Sequence, residues 1–375
     1  VSISAKPGGR SLTWAEAMSH DADDIQMPVG PDDLADIMYT SGTTGSPKGV
    51  AVRHKAISQL PNALPTWTGA YWMYGNPLFT FAGVGPIYMG MKTGMTCLYH
   101  PRFDAEDWLA TVERDRPLVC FIVPAMAQLL VAHPKFEVAD LSSVAVCFLG
   151  SAPAASATIE RLRQRMPNAS ITNAYGMSEA GGICSISGEE LESHPGSVGC
   201  PKPPIELRIV GDDGRDLRAG EAGEIIFRQE GMEREYYRDA AATASTWSGG
   251  WLHTGDIGHL DADGYLYIVG RKKDVIIRGG HNVHAIDVEA VLYECPDVIE
   301  AAVVGVPHDV LGEDVVAFVV LHEDAKLDAS QLRSFCAERL ADYKVPRRVT
   351  LVDELPHNAG GKVLKHELAA RAASA

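Results

Sequence analysis

Along residues 35–270, compact apolar runs alternate with amphipathic stretches. VCFIVPA (119–125), VAVCFLG (144–150) and GEIIFR (223–228) read as strands. AEDWLATVERD (105–115) and the segment around Ala155 to Met166 read as helices. This alternation predicts an α/β domain with much parallel sheet. The texture changes after Gly270. RKKD (271–274) is a charged junction, followed by a helical pattern with Val288, Val291, Leu292 and Cys295 on one face. Strands are predicted at AAVVGV (301–306) and VVAFVVL (315–321). A second helix is predicted from about Ala329 to Leu340, with Leu332, Phe335, Cys336 and Leu340 in one stripe and Asp328 and Gln331 at capping-box spacing. The pattern therefore predicts a large α/β domain, residues 1–270, and a small α+β domain, residues 271–375.

Between a β-leaning run (Ala35 to Tyr39) and another (Val50 to Val52) lies the stretch YTSGTTGSPKGV (39–50). Its glycines let backbone N–H groups approach a ligand, its hydroxyls add donors, and Lys48 adds positive charge, as a phosphate cradle requires. A solvent-exposed turn has the same composition. The pattern G-x-x-x-x-G-K-[ST] of a standard NTPase loop is absent, because Lys48 follows Pro47 and precedes Gly49.

Composition narrows the function classes. The 375 residues are 46% hydrophobic, enough for a large core, and 49 acidic against 33 basic residues give a net charge of −16. That balance argues against binding nucleic acid or an anionic membrane, so any anion must be held by a local site. No stretch approaches the roughly 20 apolar residues of a membrane span, and VSISAKPGGR has no signal-peptide core, which makes a cytoplasmic location the default expectation. The seven cysteines are scattered and never spaced C-x-x-C, against both a disulfide framework and a zinc site. The chain opens at Val1 without methionine and reaches the glycine-rich stretch by Tyr39, so a longer parent polypeptide is expected.

Taken in order, YTSGTTGSPKGV, NAYGMSEA (173–180), GWLHTGDIG (250–258), GRKKDVIIRGGHN (270–282) and YKVPRRV with LPHNAGGKVLK (343–365) resemble the core motifs of the ANL adenylating superfamily. That superfamily comprises acyl-CoA synthetases, peptide-synthetase adenylation domains and beetle luciferases, and fatty-acid and other acyl-CoA synthetases are the nearest likeness. The resemblance implies an N-terminal AMP-binding domain of packed sheets and helices that here lacks part of its start, and a mobile C-terminal domain. It implies formation of an acyl-adenylate and pyrophosphate from a carboxylic acid and ATP, then transfer of the acyl group to a thiol.

Residue by residue, the resemblance gives Thr40, Ser41, Gly42, Thr43, Thr44, Gly45 and Lys48 to the β- and γ-phosphates. In the segment Asn173, Ala174, Tyr175, Gly176, Met177 it sets the Tyr175 ring against adenine. The Ser178 hydroxyl is implied on the α-phosphate and the Glu179 carboxylate on Mg²⁺, a hard cation preferring oxygen. Gly150, Ser151, Ala152 and Pro153 would line the adenine and acyl pockets, while Asp256 and Arg271 would hold the ribose. Lys362 matches the catalytic lysine bridging the acyl carboxylate and α-phosphate. Lys273 occupies the hinge position, and Gly279 and Gly280 would line a thiol tunnel after domain rotation.

Departures from the family pattern bear on specificity. Thr80 stands where many fatty and aryl acid ligases carry histidine, and His281, Ala285 and Ile286 replace commoner residues near the thiol path. LFTFAGVGPIYMG (78–90) holds no aspartate for an α-ammonium, which argues against an amino acid substrate, and Phe81, Val84, Met89, Met91 and Ile183 are expected to line an apolar pocket. The expected activity is an ATP- and Mg²⁺-dependent ligase joining a hydrophobic acid to CoA. Two alternatives stand beside it: loading of an acyl carrier protein's phosphopantetheine, and a truncated nucleotide-binding protein without turnover.

Overall fold

A computed structural model describes residues 27–40, 47–58, 68–152, 154–322, 324–358 and 361–373. Residues 34–375 form one compact unit, and residues 1–33 group separately. No helix among the described residues is long and apolar enough to cross a membrane.

The expected parallel sheet is present. Thr96–Tyr99, Tyr71–Tyr74, Val119–Ile122, Val146–Leu149 and Ser170–Met177 lie in that spatial order, all parallel, and Gly181–Ser187 adds an antiparallel edge. One face is covered by Trp108, Leu109, Leu130 and Leu162 from three helices, and the other buries Trp72, Tyr74 and Val119. Burial on both faces explains why these strands read as nearly continuous apolar runs. Helix Ala105–Asp115 starts where the Asp104 carboxylate accepts the Asp107 N–H at 2.9 Å.

From about residue 197 the strands run antiparallel rather than parallel. GEIIFR lies in an antiparallel sheet ordered Glu206–Val210, Gly223–Arg228, Trp251–Leu260, Leu266–Arg271 and Ser197–Gly199. Along Trp251–Leu260 buried and half-buried positions alternate for eight residues, the mark of a sheet buried on one face. A third sheet joins Leu34–Thr40, Lys48–Arg53 and Glu235–Tyr236. Thr40 pairs with Lys48, so the glycine-rich stretch connects two antiparallel strands.

The C-terminal part is built on the hairpin Val298–His308 and Gly312–Leu321. Its alternate residues face opposite ways. Val303, Val315, Ala317 and Val319 pack beneath helices Ala285–Tyr293 and Ala329–Ala337, while Ala302, Val304, Val316 and Phe318 meet Leu368 and Ala372 of helix Lys365–Ala373. The capping box forms, with Asp328 accepting the Gln331 N–H at 2.9 Å and Gln331 accepting the Asp328 N–H at 2.8 Å. That helix ends at Ala337, three residues before the expected Leu340, which still packs on the same core.

Candidate active site

Two sheets supply the floor of the site. Strand Ser170–Met177 carries Tyr175 and returns as Gly181–Ser187, a reversal so tight that a Cβ on Gly176 would lie 2.4 Å from the Gly181 carbonyl oxygen. The Tyr175 hydroxyl donates to Asp256 Oδ2 at 2.7 Å in a buried contact. Asp256 faces Arg271 across its own sheet, and Arg271 Nε lies 2.7 Å from Oδ1. Burial, then the Asp256 charge, pushes the Tyr175 phenol well above its usual range, so it remains a neutral donor. Asn173 Nδ2 donates to the Ser197 carbonyl at 2.8 Å and ties the two sheets together. Against this floor runs the bend after Val146–Leu149, where Ser151 takes the left-handed conformation at φ 72° and a Cβ on Gly150 would come within 3.1 Å of the Ala174 carbonyl. A non-glycine residue held there is the kind of backbone strain that concentrates at functional sites.

A second group surrounds Glu179, which is buried. Tyr236 Oη donates to Glu179 Oε1 at 2.9 Å. The Lys48 ammonium stands 4.8 Å from the centroid of the same Tyr236 ring. Arg234, also buried, donates through Nη1 to the Ser178 carbonyl and sets its guanidinium 5.4 Å from the Phe81 ring. Desolvation draws its pKa down to about 10, opposed by the charges of Glu179 and Asp36. Neither Arg234 nor Tyr236 stands out in the sequence. EREYY reads as a polar loop, and only the fold brings it beside residue 179.

The lysine of the C-terminal loop reaches this cleft. Lys362 feels the charges of Arg271, Asp256, Glu179 and Lys273. Loss of surrounding water, then Arg271, pulls its pKa below that of an ordinary lysine, while Asp256 and Glu179 oppose the shift. By surface area Lys362 is exposed, so it borders open solvent rather than a sealed core. Its loop is braced from within: Lys362 N donates to Asn358 Oδ1 at 3.0 Å, and Asn358 N donates to the Lys362 carbonyl at 2.9 Å. A Cβ on Gly361 would lie 3.3 Å from Val123, which shows how closely the loop approaches the start of helix Pro124–Ala132.

Comparison with known proteins accounts for this assembly. A family model described as "AMP-binding enzyme" matches residues 3–237, and one described as "AMP-binding enzyme C-terminal domain" matches residues 287–362. The chain belongs to the AMP-binding enzyme family. Within it, the chain is 36% identical to an indoleacetate–CoA ligase of Aromatoleum aromaticum over 346 residues, 91% of this chain and 68% of that protein. The amide bond synthetase McbA from Marinactinospora thermotolerans superposes with a TM-score of 0.79 at 34% identity, over 90% of this chain and 69% of that one. The o-succinylbenzoate coenzyme A synthetase of Bacillus subtilis, solved with ATP and magnesium ion, gives 0.81 at 32% identity, over 95% and 74% of the two chains. These matches make the protein an adenylate-forming ligase of the ANL superfamily, near the acyl-CoA synthetases.

The structure of this family member therefore gathers Lys48, Ser178, Glu179, Tyr175, Asp256, Arg271 and Lys362, with Lys273 within electrostatic reach. Ser41, Gly42, Thr43, Thr44, Gly45 and Pro153 lie outside the described residues. Gly279 and Gly280 (φ 57° and 84°) form the exposed two-residue turn of the hairpin Val275–Arg278 and His281–His284, where the Gly279 N–H donates to the Leu311 carbonyl at 2.8 Å. Thr80 caps helix Phe81–Thr93, its hydroxyl accepting the Gly83 N–H at 3.2 Å. Of the expected apolar lining, Phe81 alone borders a cavity of about 220 Å³ shared with Met38, Val52, Met232 and Arg234. Met91 is 72% exposed, Met89 packs beside Trp72, Ile183 is sealed in the antiparallel-sheet core, and Val84 sits beside Met38 without reaching the cavity. Helix Phe81–Thr93 is amphipathic only weakly, so sequence alone misassigns which of its sides faces the space.

Proposed function

We propose that this protein is an ATP- and Mg²⁺-dependent acid:thiol ligase that activates a hydrophobic carboxylic acid as its acyl-adenylate and transfers it to CoA. The observation carrying the proposal is the buried contact of Tyr175 with Asp256 and of Asp256 with Arg271, with Lys362 within electrostatic reach of Asp256, Arg271 and Glu179. Attack of a carboxylate on the α-phosphate gathers negative charge, and an ammonium at that point stabilises the transition state more than the ground state. Tyr175 faces adenine, Asp256 accepts from the ribose hydroxyls with Arg271 beside it, Ser178 donates to the α-phosphate, and Lys48 with the glycine-rich stretch holds the leaving pyrophosphate. Tyr236 is the one hydrogen-bond donor to the Glu179 carboxylate among the described residues, which leaves Oε2 for a hard cation. Magnesium, when bound, neutralises phosphate charge. The apolar cavity beside Phe81 and the likeness to an indoleacetate ligase support a hydrophobic acid.

For the second half-reaction, residues 271–375 rotate about Lys273 as the mobile domain against residues 1–270. Lys362 is withdrawn and the Gly279–Gly280 turn enters the cleft, where the absence of side chains admits a thiol. Pyrophosphate release measured with a panel of apolar acids, with and without CoA, tests the reading. A thioester that depends on CoA is expected. Adenylate that passes only to a carrier-protein phosphopantetheine would replace the acceptor, and nucleotide binding without pyrophosphate release would overturn catalysis.

A further inference from the structure

The segment Arg234 to Tyr236 lies outside the five stretches that carry the family resemblance, yet it touches two of them. Its two-residue strand pairs with the strand that follows the glycine-rich stretch: Tyr236 lies opposite Val50, and Tyr237 N donates to the Gly49 carbonyl at 2.7 Å. This register fixes the Tyr236 ring beside Lys48, whose ammonium stands over it at 4.8 Å. The ring is braced from the other direction by Trp247, edge to face at 5.4 Å, and the Tyr236 N–H donates to Thr243 Oγ1 at 3.0 Å. With the ring so held, the hydroxyl reaches Glu179 Oε1 at 2.9 Å. Two residues back, on the same side of the extended segment, Arg234 grips the Ser178 carbonyl.

We infer that Tyr236 is a positioning residue that sets Lys48 and Glu179 for Mg²⁺-nucleotide binding, its ring face holding the ammonium and its hydroxyl occupying Oε1 so that Oε2 turns to the metal. The inference rests on the roles proposed for Lys48 and Glu179. Its physical content is separable, because one side chain performs two tasks with two different parts. The hydroxyl serves the carboxylate and the ring serves the lysine. Removing a group that orients a metal ligand costs about 10–100-fold in metal affinity. Removing the ring takes away in addition the face on which Lys48 rests.

The experiment compares Tyr236→Phe, which keeps the ring, with Tyr236→Leu, which keeps neither part. ATP binding is followed by calorimetry across a magnesium titration and again with EDTA, and thermal unfolding is recorded for each protein. Tyr236→Phe is expected to need about 10-fold more Mg²⁺ for half-maximal ATP binding, with metal-free ATP affinity unchanged. Tyr236→Leu is expected to weaken metal-free ATP binding by a further few-fold. In a Glu179→Gln background, Tyr236→Phe adds nothing to the magnesium requirement. A Tyr236→Phe protein with wild-type magnesium dependence overturns the inference, as does a loss in both variants that merely follows a lowered unfolding temperature. The ligase reading fails separately, if the wild type binds Mg·ATP but releases no pyrophosphate with any acid.

Discussion

The floor of the cleft and the loop that brings Lys362 differ in how they are held. Tyr175, Asp256, Arg271 and Glu179 project from strands or the turns between them, and their contacts cross from one sheet to another inside buried surroundings. Lys362 sits on a loop whose hydrogen bonds close on Asn358 within the loop itself. The floor is thus fixed by packing between sheets, whereas Lys362 comes from a loop braced mainly within itself. Such a division suits chemistry in which one charge is needed for the first step and is in the way for the second.

Removing the delivered charge is the sharpest way to break the comparison. Lys362→Ala should lower acyl-adenylate formation by about 10²–10³-fold, the usual loss of a transition-state charge partner. Thioester formation from supplied acyl-adenylate should survive, and equal loss in both assays would refute the division. On the fixed side, Asp256→Ala orphans the buried Tyr175 hydroxyl and releases Arg271. It should cost about 1–3 kcal/mol in chemical denaturation and raise the KM for ATP, whereas Lys362→Ala leaves stability unchanged. Unaltered denaturation would mean that the floor is not held as its contacts indicate.

How much of this was legible in the sequence follows the range of the signals. The ordered motifs single out Lys48, Glu179, Asp256 and Lys362 as candidates because each carries its own local pattern, and the Asp328 capping box is readable because its two partners are three residues apart. Tyr236 and Arg234 have no local pattern. Their partners lie 57 and 56 residues away, and the strand that places them is two residues long. The antiparallel direction of the strands in residues 197–271 was not legible, because a short apolar run looks the same in a parallel and an antiparallel sheet. Thr80 drew attention as a departure near the acyl pocket, while its hydroxyl serves as a helix cap.

Smaller effects refine the comparison. Lys273 lies in the exposed turn Lys272–Asp274, and Lys273→Pro would fix φ near −65° and remove an N–H there. Adenylate formation should persist while single-turnover thioester formation slows several-fold. Unchanged transfer would move the hinge elsewhere. At the root of the lysine loop, His357 Nε2 lies 3.1 Å from Glu300 Oε1. Glu300 raises the His357 pKa above its usual 6.5, with burial opposing. The sign follows: a raised folded pKa means that the pair stabilises fully below 6.5 and fades as pH rises through the raised value. Glu300→Gln should therefore lower stability by less than about 1 kcal/mol at pH 6 and by less still at pH 9, in matched denaturation curves.

The hairpin Val298–His308 and Gly312–Leu321 is roofed on both faces by helices from its own part of the chain. A fold that completes its interior with its own residues keeps its packing demands local. That interior can therefore drift through compensating changes among its own residues while the separate core beneath the parallel sheet stays as it is.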